Sequence, residues 1–180
     1  DGGYQDTWVD FKLGPLPLPF PNTPARVRAV RYHDLHHLLT GYATDITGEF
    51  EISAWELGAG CKDFWAAWQL NLGGLATGMW VAPRRIARAF FRGLASRSLY
   101  GLDFEPLLDR RLGELREAQG LDRPAPVTLS GALLFLAAWA AGAVAGLLSF
   151  LLLAVVGPIF YVIWRLRGAP RTHKAAAARA

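Results

Sequence analysis

The chain is poor in the residues that staple or advertise a soluble fold: one cysteine, one methionine and four histidines in 180 residues. A lone Cys61 permits no intramolecular disulfide, which excludes a stapled secreted scaffold and allows a reducing compartment; nothing suggests a metal role for it. Acidic residues stop at Asp122, and charge of either sign is absent from Pro124 to Trp164, 41 residues. No soluble segment needs so long a charge-free run, and about 20 apolar residues already suffice to cross a bilayer. The first residues carry no basic-plus-apolar leader, so no secretory signal is expected within them. What is present is 52% apolar residues, a positive mean hydropathy of +0.20 and a net charge of +4, with Arg165, Arg167, Arg171, Lys174 and Arg179 closing the chain. This composition describes one helical domain with a membrane segment and a membrane-flanking basic tail; no nucleic-acid partner is expected.

Organisation follows from punctuation. Residues 1 to 24 form an extended proline-rich arm, because Gly14-Pro15-Leu16-Pro17-Leu18-Pro19-Phe20-Pro21 forbids helix and favours polyproline II. The arm reads as a strap over the domain surface in preference to a partner-binding motif. A helical domain spans 25 to 122. Its first helix begins at Thr23-Pro24-Ala25 and ends near Thr40, with Gly41 as a left-handed cap. A second, about 46 to 58, is capped from Thr44-Asp45-Ile46-Thr47 and stopped by Gly58-Ala59-Gly60. Phe64 to Ala82 is uncharged over nineteen residues. Gln69, Asn71, Thr77 and the Gly73-Gly74 pair favour a groove-lining or lipid-facing helix there over a lone span.

Arg84, Arg85, Arg88 and Arg92 then form a basic stripe beside Ile86, Phe90 and Phe91, suited to an anionic membrane interface or, equally, to a plain solvated face. Over 103 to 119, Phe104, Leu107, Leu108, Leu112 and Leu115 recur at helical spacing and are expected in the core. Residues 123 to 128 are a linker, 129 to 165 transmembrane, and 166 to 180 the basic tail. The apolar stretch is long for one span. A hairpin turning near Ala141 to Gly146 would place both positive flanks, and hence the soluble domain and the tail, on the cytoplasmic side. The alternative is one helix from about 129 to 156, kinked at Gly157-Pro158.

The chemistry-bearing motif is His33-Asp34-Leu35-His36-His37 with Glu49 twelve positions beyond. On a helix His33 and His37 are an i, i+4 pair and Asp34 flanks them, so two imidazoles and a carboxylate can face one spot. A helical hairpin would bring Glu49 over them. A zincin needs Glu where Asp34 stands. A membrane desaturase needs several histidine boxes, and only His173 remains outside this one. A His-Asp phosphohydrolase needs an upstream histidine, and none precedes His33. His36, offset by roughly 60° from His33 on the helix, is expected either behind the ligands or exposed, and not as a ligand itself. Arg31 and Tyr32 are placed to orient a ligand. Two histidines with carboxylates accept zinc, iron(II) or manganese(II).

The pattern Arg31-Tyr32-His33-Asp34-Leu35-His36-His37-Leu38-Leu39-Thr40-Gly41, with Thr44-Asp45-Ile46-Thr47-Gly48-Glu49, resembles the metal motif of the Coq-four family of coenzyme Q (ubiquinone) biosynthesis. Further parts follow in that family's order: Trp55-Glu56, the Pro83-Arg84-Arg85 break after an apolar helix, Leu99-Tyr100-Gly101, and Arg110-Arg111-Leu112-Gly113-Glu114-Leu115-Arg116-Glu117. The resemblance covers about 25 to 122. It departs from the family in having 32 residues before the motif, where a further helical region is usual, and a long apolar C-terminus after it.

The resemblance implies an all-α fold with a C-terminal transmembrane helix or hairpin, and a divalent metal, zinc by default, on His33, Asp34, His37 and Glu49. It also implies an apolar groove for a polyprenyl lipid, whose chain the glycines of the uncharged helix would let close to backbone. The implied work is replacement of the C1 carboxyl of a polyprenylated benzoate by hydroxyl, or the organisation of other quinone-biosynthesis proteins at the membrane. A non-catalytic, metal-stapled lipid-binding subunit is the competing expectation.

Overall fold

The computed structural model describes residues 4–9, 12–13, 16–17 and 19–166; His173 and the expected tail beyond Leu166 lie outside the described residues. Among the described residues the protein is all-α, with seven helices and almost no strand. Its elements are α1 (Pro24–Thr40), α2 (Ile46–Ala59), α3 (Trp65–Val81), α4 (Pro83–Leu94), α5 (Phe104–Leu108), α6 (Leu112–Gln119) and α7 (Leu129–Leu166), preceded by the two-residue strands β1 (Trp8–Val9), β2 (Lys12–Leu13), β3 (Leu16–Pro17) and β4 (Phe20–Pro21). The chain divides into two compact units, Ala29–Gly146 and a smaller one made of Asp1–Arg28 with Leu147–Ala180.

In the smaller unit the arm pairs with itself. β1 runs antiparallel to β4 with Trp8 opposite Pro21, and β2 antiparallel to β3 with Leu13 opposite Leu16. Where the arm is described, the polyproline II expectation is corrected to two short antiparallel ladders; Gly14, Pro15 and Leu18 of that stretch lie outside the described residues. Trp8 meets the edge of Phe160 at 6.2 Å between ring centroids.

The larger unit is built round α2, whose Ile52, Ala54 and Trp55 are wholly buried. Asp45 caps its start by accepting from the Gly48 N–H at 2.7 Å, and Gly60, at φ 90°, ends it. α2 and α4 touch backbone to backbone: a Cβ at Gly58 would lie 2.3 Å from the Phe90 carbonyl oxygen, and one at Gly93 would lie 2.3 Å from that of Trp55. On α3, a Cβ at Gly74 would lie 2.4 Å from the Ser53 hydroxyl, so this glycine serves helix packing, while Gly73 faces open space. α1 starts with the Thr23 hydroxyl accepting from the Arg26 N–H and stops at Gly41, φ 77°. Two cations cover the last carbonyls of α1, Arg116 on Leu38 and Leu39 and Arg92 on Thr40, where the helix dipole favours positive charge.

Two expectations change. The 103 to 119 stripe is not one helix, and Leu108 and Leu112 are exposed while Leu107 and Leu115 are buried. Asp109 to Arg111 interrupt it, so the two halves present different faces. The C-terminal segment is one continuous helix through Ala141 to Gly146, not a hairpin. An alanine and glycine run with no proline or capping side chain leaves its backbone groups no partner better than the helix itself. Gly142 sits where a Cβ would fall 2.3 Å from the Leu72 carbonyl oxygen, a close approach to α3 and not a turn. Pro158 lies inside the helix.

At about 1.5 Å per residue, 38 residues extend about 57 Å, nearly twice the hydrocarbon core of about 30 Å. By length and composition α7 is a candidate membrane span, with mean hydropathy 2.4 over its most apolar window.

Candidate metal centre

α1 and α2 lie side by side, joined by the short Gly41 to Asp45 turn, and their facing sides converge on His33, His37 and Glu49. One donor atom from each falls within 4.8 Å of the others. The three side chains form a triangle: His33 Nε2 lies 3.2 Å from His37 Nε2 and 3.2 Å from Glu49 Oε2, and His37 Nε2 lies 3.3 Å from the other oxygen, Glu49 Oε1. Ligands about 2.0–2.1 Å from a tetrahedral ion stand about 3.3 Å apart, so the spacing suits zinc or a similar ion.

Hydrogen bonding behind the rings sets the tautomers. His37 Nδ1 faces the Tyr42 carbonyl oxygen at 3.1 Å and must donate to it; His33 Nδ1 donates to Glu56 Oε1 at 3.0 Å. Both Nε2 lone pairs are then turned toward each other and toward a carboxylate. Three electron-rich atoms at this separation repel unless a cation or a shared proton lies among them.

The electrostatics agree. Burial opposes charge on His33, but Glu56 and Glu49 outweigh it and raise its pKa to about 10. His37 is raised as well, against its burial, by Glu49 and the Tyr42 carbonyl. Hydrogen bonds from these two imidazoles hold Glu49 down at about 2. The place is built to hold positive charge. A divalent ion there, with Glu49 and Glu56 ionised and both rings neutral, sums to zero.

Glu56 is the hub behind the triangle. It is wholly buried, and each of its oxygens accepts twice: Oε1 from His33 and from His36 Nδ1 at 2.8 Å, Oε2 from Asn71 and from the Tyr100 hydroxyl at 2.7 Å. Its burial favours the neutral acid, yet His33 and His36 hold it ionised, far below the usual range. His36 is buried and neutral: burial depresses its pKa, and its Nε2 accepts the Leu99 N–H at 2.9 Å. Of its two expected places, His36 takes the one behind the ligands, where it holds Glu56. Cys61 is inert, its thiol donating to the Glu56 carbonyl oxygen and pushed up to about 12 by burial and Glu56.

Of the four expected ligands the structure brings three together. Asp34, about 100° round α1 from His33, is exposed and stands outside the converging group. Arg31 and Tyr32 do not face the site: Arg31 pairs with Glu105 at 2.7 Å over the Phe104 ring, and Tyr32 donates to the Leu102 carbonyl. The basic stripe also divides. Arg85 is held by both oxygens of Glu51, at 2.9 and 2.6 Å, and Arg92 by the Thr40 carbonyl, leaving Arg84 and Arg88 as exposed cations. Sequence reasoning missed Glu56, Asn71 and Tyr100 as site residues. Glu56 was signalled by its place seven residues after Glu49, on the same face of α2, and Asn71 by being polar in an otherwise apolar helix.

Among the described residues, fold and site together define an all-helical protein with a His/Glu cluster able to hold a metal ion and one candidate membrane helix. Comparison with protein-family profiles, with characterised proteins and with solved structures yields no match to this chain.

Proposed function

We propose that the chain is a membrane-bound, metal-dependent protein of ubiquinone biosynthesis that acts at ring C1 of a polyprenylated benzoate, where the carboxyl leaves as CO2 and a hydroxyl takes its place, a two-electron oxidation with dioxygen as the co-substrate. The resemblance of residues 25 to 122 to the Coq-four family supports the pathway. The observation that carries the metal is the facing pair of Nε2 atoms over Glu49, each ring fixed from behind by an Nδ1 hydrogen bond. Three donors leave a coordination position open, as catalytic sites do. A divalent metal there, zinc first, with iron(II) and manganese(II) suited to the same donors, supplies polarisation of a carboxylate or phenolic oxygen or activation of water. Asp34 joins the ligand set only by the resemblance. Glu49, with its side chain 44% exposed, is the approach side for a ring.

Elemental analysis of the detergent-purified full chain, with mass spectrometry of co-purified lipids, tests this. One equivalent of divalent metal and a prenylated aromatic are expected. His37→Ala loses the metal and keeps the helices, whereas Asp34→Ala keeps metal within a few-fold of wild type. Metal-free wild-type protein overturns the proposal. Quinone synthesis sustained by His37→Ala alone overturns its catalytic part.

A second reading has its own support. α7 exceeds one crossing by nearly half its length, and its apolar outer surface suits a partner helix in a larger quinone-linked assembly, with the metal acting only as a staple between α1 and α2. Stoichiometric companions after purification in mild detergent support that role, and a monodisperse lone chain opposes it.

A further inference from the structure

A cleft of about 370 Å³ lies between α4 and the 121 to 127 segment that leads into α7. Arg88, Arg92 and Arg123 line it together with apolar Phe91, Leu121 and Val127, and no lining residue is acidic. Arg92 is engaged with the Thr40 carbonyl and lies over the Tyr42 ring at 5.3 Å. Arg88 and Arg123 are exposed and, among the described residues, carry no ion pair within 4.0 Å. Like charges at i and i+4 on α4, with a third guanidinium opposite, repel one another in the absence of a counter-anion. A small inorganic anion would satisfy the cations but not the apolar floor; an amphiphile satisfies both. The apolar surface also continues out of the cleft. Val127 is 73% exposed, and α7 begins at Leu129, 79% exposed, two residues on.

We propose that this cleft binds the head group of an anionic phospholipid, with its phosphate between Arg88 and Arg123 and its acyl chains along the charge-free start of α7. The site is separate from the His33, His37 and Glu49 cluster and does not depend on the metal being present. It would fix the helical domain against the lipid surface beside its own anchor, a contact that the sequence showed only as a basic stripe.

The test uses the full chain in neutral detergent, titrated with dioleoylphosphatidylglycerol, dioleoylphosphatidylcholine or inorganic phosphate and read by native mass spectrometry. Phosphatidylglycerol is expected to bind wild type more tightly than phosphatidylcholine. Each arginine near an anionic lipid is worth about fivefold in affinity, so R88Q/R123Q is expected to lose about twenty-fivefold. R88K/R123K should retain most of the binding, and R110Q, outside the cleft, should be neutral. Helicity and metal content of all variants are expected to match wild type, which keeps a failure here distinct from a failure of the metal reading. Equal phosphatidylglycerol affinity in wild type and R88Q/R123Q overturns the proposal. Inorganic phosphate that competes with the lipid at equal concentration overturns it too, making the cleft a small-anion site.

Discussion

Glu56→Gln is the sharpest perturbation of this site, because it keeps shape and removes only charge and one acceptor. The carboxylate accepts four hydrogen bonds with no exposure, from His33, His36, Asn71 and Tyr100. A glutamine amide oxygen can serve one pair of donors, and its NH2 then faces the other pair. Two buried donors lose their acceptor at about 1–3 kcal/mol each, and His33 loses the charge that favours its protonation. Breaking a buried charged network of this kind costs about 3–5 kcal/mol. At about 2–4 °C per kcal/mol for a chain of this size, Tm should fall by roughly 6–20 °C. The same substitution frees the His33 ring from behind, so metal affinity should drop about 10–100-fold. Circular dichroism melts at one scan rate in one detergent, paired with metal titration, read both. Glu49→Gln is the contrast: its side chain is 44% exposed, so metal affinity should suffer while Tm of the metal-free protein falls by less than it does for Glu56→Gln. A Glu56→Gln protein with unchanged Tm and unchanged metal affinity would refute the hub.

Other consequences follow from the same geometry. In the metal-free protein His33 has a folded pKa near 10, above the ordinary 6.5, so its contribution is complete below about 6.5 and is lost as pH rises toward 10. Glu49, depressed to about 2, contributes above about 4.5 and loses that contribution as pH falls toward 2. Melts across pH should thus show a plateau between about 4.5 and 6.5 that falls on both sides, and metal should remove the alkaline decline. Gly93→Ala forces a methyl against the Trp55 carbonyl where α2 meets α4, and chemical denaturation should show about 1–3 kcal/mol of lost stability. Single-cysteine reporters placed before Leu129 and after Leu166, in a Cys61→Ala background, should be labelled from opposite sides of sealed vesicles; labelling from one side restores the hairpin.

Much was legible in order along the chain. Pro24 and Thr23 started α1 where expected, Gly41 ended it, Asp45 capped α2, and the His33 to His37 spacing with Glu49 beyond a turn placed three donors on facing helices. These are local rules, set by capping, handedness and the helical repeat. The charge-free run from Pro124 to Trp164 likewise announced an apolar element by composition alone.

Tertiary structure decided the rest, because contacts between distant segments leave no local period. Asp34 and His36 are neighbours of the same histidines in sequence, yet one is exposed and the other buried between Glu56 and the Leu99 N–H, 63 residues away. Glu56 could be read from sequence as one more acidic residue of α2. Only the arrival of His33, His36, Asn71 and Tyr100 from three other segments makes it the charge that holds the site. The Ala141 to Gly146 run was equally ambiguous; it is continuous helix, with Gly142 in close approach to α3. Sequence therefore determined the helices and the donors they carry; packing determined which donors meet, since burial and hydrogen-bond satisfaction belong to the assembled fold and to no single segment.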